Sequence, residues 1–286
     1  MDRTEASAFD VSRTSFLLRA PVSRSYANFI GRKIFLFLVT MQELGAFALI
    51  TLGVCARKLR RPVPLIRELI CEQIARCGVR LLPMFLFVAL ALGFLVIGQT
   101  VAVLAQVGAI QWLGSIMVVA VVREIGPLLA ALLVLARVGT ANVVELGTVR
   151  ALGEVEALEA LRIDPVHYLV VPRVVGLMLG TFALTVYLIL GAVLSGYIWA
   201  FLQDVPIRPG EYFSQLAGAL TYPDFALLAL KTAAFGFVIA IVTCYHGLAR
   251  PLPLDAVSNA TVRAVAQSIV GCVLLDALFI LVYLNV

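Results

Sequence analysis

Four charged residues stand where so apolar a chain has little reason to place them: the adjacent Arg123 and Glu124, then Lys231 and Asp276. A charge surrounded by hydrocarbon is costly, so such residues face a bundle interior or a wet cavity and pair with one another. Arg123 and Glu124 point about 100° apart on a helix and do not face each other. Glu124 therefore needs water or a partner from another segment, with Lys231 the leading candidate. Gly126-Pro127 directly after the pair weakens the helix ladder and permits a kink. Two roles fit: a structural network joining spans, or the polar base of a wet cavity where a gating motion is felt.

Other chemistries find no support. None of the three lysines (Lys33, Lys58, Lys231) follows a Gly, so there is no P-loop to hold ATP. No His-Glu-x-x-His or Gly-x-Ser-x-Gly occurs, and His167 and His246 read as loop or interfacial residues. The five cysteines (Cys55, Cys71, Cys77, Cys244, Cys272) form no Cys-x-x-Cys pair and read as small apolar packing residues. The chain is expected to bind no metal or cofactor and to catalyse no reaction itself.

The elements that must carry the four charges are membrane spans. Of 286 residues, 62% are hydrophobic and 14% charged, with a mean hydropathy of +1.03. Residues 83–110 and 174–203 contain no charge at all, and about 20 apolar residues suffice to cross the hydrocarbon core. Five spans are expected, at about 83–106, 110–141, 174–202, 224–245 and 264–283. Residues 34–56 are long enough to span, yet Arg32 and Lys33 precede them and Arg57, Lys58, Arg60 and Arg61 follow. Basic residues prefer the cytoplasmic side, and Gln42 and Glu43 would sit at mid-membrane. An interfacial or re-entrant helix satisfies both facts. The fold class is thus all-α and membrane-integral, with residues 1–25 a cytoplasmic disordered extension.

Thirteen of the 22 Lys and Arg residues fall in the first 80 positions. They flank apolar segments, which points to a membrane surface rather than to nucleic acid. The outer loops are nearly free of basic residues, Arg208 being the exception. This asymmetry places the N-terminus in the cytoplasm and the C-terminus outside. Gly176-x-x-x-Gly180 and Ala192-x-x-x-Gly196 allow close helix approach, within one chain or between two.

A longer pattern runs through the second and third spans: Arg123-Glu-Ile-Gly-Pro-Leu-Leu, Ala136-Arg-Val-Gly-Thr-Ala, Glu145-Leu-Gly-Thr-Val-Arg, Glu156-Ala-Leu-Glu-Ala-Leu-Arg-Ile-Asp-Pro and Tyr168-Leu-Val-Val-Pro-Arg-Val. Leu230-Lys-Thr-Ala-Ala-Phe-Gly, Ala260-Thr-Val-Arg-Ala-Val and Asp276 follow in order. Over residues 26–286 the chain resembles the MlaE (YrbE) permeases, which work with MCE-domain lipid-binding proteins. It departs from them at Gly153-Glu154, where Glu-Gln is common, at Arg162, where a Gly is usual, and at Pro251 and Pro253, which replace a Gly-rich turn.

The resemblance implies the permease subunit of an ABC-type lipid transporter in the bacterial inner membrane. Its partners would be an ATPase that holds ATP and Mg, an MCE protein, a second copy of the chain, a small cytoplasmic accessory subunit, and phospholipid. Leu152, Val155, Leu158 and Leu161 form an apolar stripe on an expected helix over 149–161, with Glu154, Glu156 and Glu159 on the remaining surface. By periodicity this is a surface helix. By resemblance it is a coupling helix, and Arg150, Glu154, Glu156, Leu158, Glu159 and Leu161 would meet the ATPase. Asp164 and Pro165 read as an N-cap and first-turn pair. On the first span Gly93, Val96, Thr100, Val103, Leu104 and Val107 share one side of a helix. This is a packing face or, by analogy with the family, the lining of a lipid cavity that includes Glu124. A proton- or ion-coupled carrier is the alternative class, but no inverted repeat supports it.

Overall fold

The structure, a computed structural model, describes residues 40–55, 64–202, 208–248 and 256–285. Residues 1–25, the basic clusters around 34–56, and Pro251 and Pro253 lie outside the described residues. Two compact units divide the chain, residues 1–46 and 47–286. Of the first, only residues 40–46 are described, and they are helical.

Every regular element among the described residues is a helix. Five are long and apolar enough to cross a membrane: Arg67–Val107, Ile110–Ala151, Val166–Leu202, Tyr222–Leu248 and Val257–Tyr283, the first to fifth spans. A shorter apolar helix, Thr40–Cys55, precedes them. At about 1.5 Å per residue it is about 24 Å long, short of the ~30 Å hydrocarbon core. The first two spans are 41 and 42 residues long and run well past that core. One end of each therefore carries polar residues, Glu72 and Arg76 on the first and Arg150 on the second.

Lipid tails are as apolar as leucine, so these helices associate through close packing and polar contacts rather than by escape from water. The third span is the hub, against which the first span, from its opening helix Pro64–Cys77 onward, and the fourth span pack. Small residues make this possible. A Cβ on Gly176 would stand 2.7 Å from Gln73 Cβ, and one on Gly180 would stand 2.9 Å from Cys77 Cβ. The Gly176-x-x-x-Gly180 pair thus seats helix Pro64–Cys77 within the same chain.

Four π-turns interrupt the spans, at Gly93–Ile97, Val118–Ile125, Leu135–Gly139 and Val166–Val170. Each widens a turn and rotates the residues beyond it. An additional helix, Pro209–Ala219, occupies a stretch that hydropathy alone marks only as an outer loop. Proline in its first turn and Glu211 beside the positive end of the helix favour it. Its Tyr212 is buried and donates to the Val193 carbonyl at 3.0 Å, and burial holds its hydroxyl far above the usual range for ionisation.

Candidate functional site

The second span builds the site through its own backbone. Proline has no amide hydrogen, so Pro127 cannot bond the carbonyl four residues earlier, that of Arg123. This carbonyl accepts instead from Lys231 Nζ of the fourth span, at 2.8 Å. The same ammonium donates to Glu124 Oε2 at 3.0 Å and pairs with Asp276 Oδ1 of the fifth span at 2.7 Å. Lys231 thus makes two hydrogen bonds to the second span and an ion pair with the fifth, and its side chain is fully buried. A buried cation is tolerated only when so satisfied.

Arg123, Glu124, Lys231 and Asp276, expected on three different spans, all meet in one cluster. Asp224 joins them, a residue that the sequence marks only as the start of a span. Asp224 Oδ1 pairs with Arg123 Nε at 2.9 Å, while Oδ2 accepts from the amide and hydroxyl of Thr221 at 2.9 and 2.7 Å. The Tyr283 ring lies 5.1 Å from Arg123 Cζ and 5.9 Å from Lys231 Nζ, within cation–π range. Asp224 is the third residue of its span and Tyr283 the last of the fifth. The cluster therefore reaches from Lys231, well inside the fourth span, to the span ends at Asp224 and Tyr283. Two cations face three carboxylates. Arg123 and Glu124 are the cluster's open edge, with 27% and 29% of their side chains exposed against 3% for Asp224.

The face expected on the first span is unevenly exposed. Val103 and Val107 are exposed, Val96, Thr100 and Leu104 half-buried. The Thr100 hydroxyl turns back to the Val96 carbonyl at 2.7 Å. Gly93, however, packs on the third span, where a Cβ would collide with Ser195 and the Ala192 carbonyl. The π-turn at Gly93–Ile97 supplies the rotation that takes Gly93 off the face. No polar contact links this face to Glu124 among the described residues.

A second charged junction, which no sequence pattern announces, occupies the other end of the bundle. Glu145 of the second span accepts from Arg76 Nη1 at 2.8 and 3.0 Å and from Arg173 Nη2 at 3.0 Å. It so joins the first, second and third spans. Glu145 lies in the Glu-Leu-Gly-Thr run, and three residues bound through one carboxylate leave no trace in spacing. Arg173 also donates to the Leu169 carbonyl at 3.1 Å, inside the π-turn that opens the third span.

Beyond Glu145 the expected helix over 149–161 is divided. Residues 149–151 finish the second span, Gly153 turns the chain at φ 76°, and Glu154–Ala160 forms a separate short helix. Glycine reaches that left-handed conformation without a steric penalty, and this is why the periodic stripe does not continue through it. Of the stripe only Val155 is buried, while Leu152 and Leu161 are exposed. Arg150 pairs with Glu156 at 3.3 Å across the turn. Glu154 and Glu159 are exposed and Leu158 half-buried. Asp164 Oδ1 accepts from the Val166 amide at 3.1 Å, as an N-cap does.

A helical bundle with five membrane-length apolar spans and charges paired between them is a multi-pass membrane protein. Residues 70–282 match the profile of the family described as Permease MlaE, and the chain belongs to that family. A probable ABC transporter permease protein of Rickettsia felis is 28% identical over 242 residues, which are 85% of this chain and 91% of that one. One from Synechocystis sp. is 32% identical over 70% of this chain and 76% of its own length. The chloroplast protein named trigalactosyldiacylglycerol 1 of Arabidopsis thaliana is 26% identical over 72% of this chain and 58% of its own.

Proposed function

We propose that the chain is the permease subunit of an ATP-driven lipid transporter, moving a phospholipid or similar amphipath between the inner membrane and an MCE-domain partner. The observation that carries this reading is the open edge of the charge cluster. Lys231, fully buried, fixes Glu124 and the Arg123 backbone, and Asp224 fixes the Arg123 guanidinium. The arrangement holds one cation and one anion at the border of an otherwise apolar bundle, which suits the headgroup of an amphipath. A relative named after a glycolipid supports the same substrate class.

Val96, Thr100, Val103, Leu104 and Val107 would line the path for acyl chains where a second copy of the chain closes it. Glu154–Ala160, with Arg150, Leu158, Glu159 and Leu161 about it, would dock into a separate ATPase that holds ATP and Mg. A small cytoplasmic accessory subunit would complete the complex. The N-terminus and the Glu145 end would face the cytoplasm, the cluster end and the C-terminus the periplasm.

The test is transport of a fluorescent phospholipid in proteoliposomes holding the complete complex. Transport lost on removing ATP, and kept on collapsing the proton gradient, is expected. The opposite pattern would make the chain a carrier driven by an ion gradient.

A further inference from the structure

The short helix Glu154–Ala160 is bracketed by two residues in the left-handed conformation. At its start stands Gly153, the residue that geometry favours. At its end stands Arg162 at φ 58°, the only non-glycine residue with positive φ among the described residues. Its amide donates to the Glu159 carbonyl and that of Ile163 to the Leu158 carbonyl, both at 2.9 Å. This closure belongs to the Schellman type, in which the left-handed residue is most often glycine. A side chain there crowds its Cβ against the following carbonyl.

Among the described residues nothing offsets that strain. Arg162 is exposed, and its guanidinium makes no hydrogen bond or ion pair among the described residues. The side chain is kept at a position where the backbone favours its absence, and strain of this sort collects where a residue serves a contact elsewhere. Its surroundings indicate what that contact is. Leu161 and Ile163 on either side are 71% and 40% exposed, an apolar pair that a protein groove would cover. Residues 153–165 carry Glu154, Glu156, Glu159 and Asp164 against Arg162 alone. So acidic a segment is repelled by an anionic lipid surface, which leaves a protein carboxylate as the partner for the guanidinium.

We infer that Arg162 anchors this segment by an ion pair with an Asp or Glu in the docking groove of the ATPase, and so helps set which ATPase the permease accepts. The inference rests on the coupling role proposed above. An arginine can hold a carboxylate by two parallel hydrogen bonds, adding geometry to charge, and one such pair separates a correct partner from a wrong one.

The experiment uses the full permease in nanodiscs and its own purified ATPase. R162K places an amine at the position, and a carbodiimide, which joins amines to carboxylates without a spacer, should link it to an Asp or Glu of the ATPase, identified by mass spectrometry. R162G should weaken ATPase binding about tenfold, a loss typical of removing one anchoring residue, and should flatten its salt dependence. Unchanged affinity and salt dependence in R162G would overturn the inference. So would a loss seen in nanodiscs with phosphatidylglycerol but absent in phosphatidylcholine, since the partner would then be a lipid phosphate. The reversal E154K/E159K separates the two readings. If it abolishes ATPase binding while R162G does not, the coupling role stands and the Arg162 pair falls. If neither change affects binding, both fall.

Discussion

At one end of the bundle a fully buried lysine gathers two carboxylates and a carbonyl. At the other a half-exposed carboxylate gathers two arginines. Both junctions tie three spans together, yet their surroundings differ. Lys231 is sealed between two hydrogen bonds and an ion pair, beyond the reach of water. Glu145 is 41% exposed, and water can replace either arginine as it moves. The difference teaches that the lysine end is a fixed platform, while the Glu145 end can open and close at little cost. A junction of the second kind would suit the side on which the short helix is proposed to meet a partner.

Removing the platform's cation is the most severe way to break the comparison. Lys231→Met leaves Glu124 and Asp276 facing each other without compensation. Loss of one member of a buried pair costs about 3–5 kcal/mol, so yield and thermal midpoint in detergent should collapse. The triple change K231M/E124Q/D276N removes all three charges and should recover most of that stability. If the single change is tolerated, Lys231 is not sealed as described.

The looser junction should give a smaller loss. Glu145→Gln keeps one acceptor oxygen but surrenders the charge that holds Arg76 and Arg173. For a half-exposed site the loss should be about 1 kcal/mol, seen as a modest drop in thermal midpoint that vanishes in high salt. A collapse as large as that of Lys231→Met would make the two junctions equivalent.

Glu124→Gln sharpens the comparison at the platform's open edge. Glutamine still accepts from Lys231, so stability should fall by about 1 kcal/mol or less, whereas phospholipid transport by the complete complex should change markedly. Wild-type transport together with lowered yield would assign Glu124 to structure alone.

How much of this is legible in the sequence follows from what each feature leaves in the chain. The five spans are visible because an apolar run of about 20 residues is rare outside a membrane. The charge cluster is visible because charges in such runs are few enough to be paired by elimination. Asp224 stays hidden because it sits at the start of a span, where an aspartate is unremarked at the water boundary. Glu145 stays hidden because its arginines lie 69 and 28 residues away in the chain, and no periodicity encodes that. The π-turns are equally silent, since the extra residue in a turn has no compositional mark, and it is a π-turn that removes Gly93 from the expected cavity face. Gly153 does carry a signal for dividing the 149–161 helix, glycine being a common stop.

The smallest expected effect concerns the short helix itself, where stability and function should separate. Glu154 lies in the first turn, beside the positive end of the helix dipole, and Glu159 lies near the negative end. Reversing Glu154 to lysine should therefore destabilise slightly, and reversing Glu159 should stabilise slightly. The double change E154K/E159K should leave folding within about 0.5 kcal/mol of wild type. Neither side chain is committed to an ion pair among the described residues, unlike Glu156, which holds Arg150. Their charges are thus free to meet a partner. If this helix couples the permease to an ATPase, the double variant should assemble as a folded permease yet lose ATP-driven transport. Transport at the wild-type rate, with the ATPase still bound, would sink the coupling role and leave Glu154–Ala160 an ordinary surface helix.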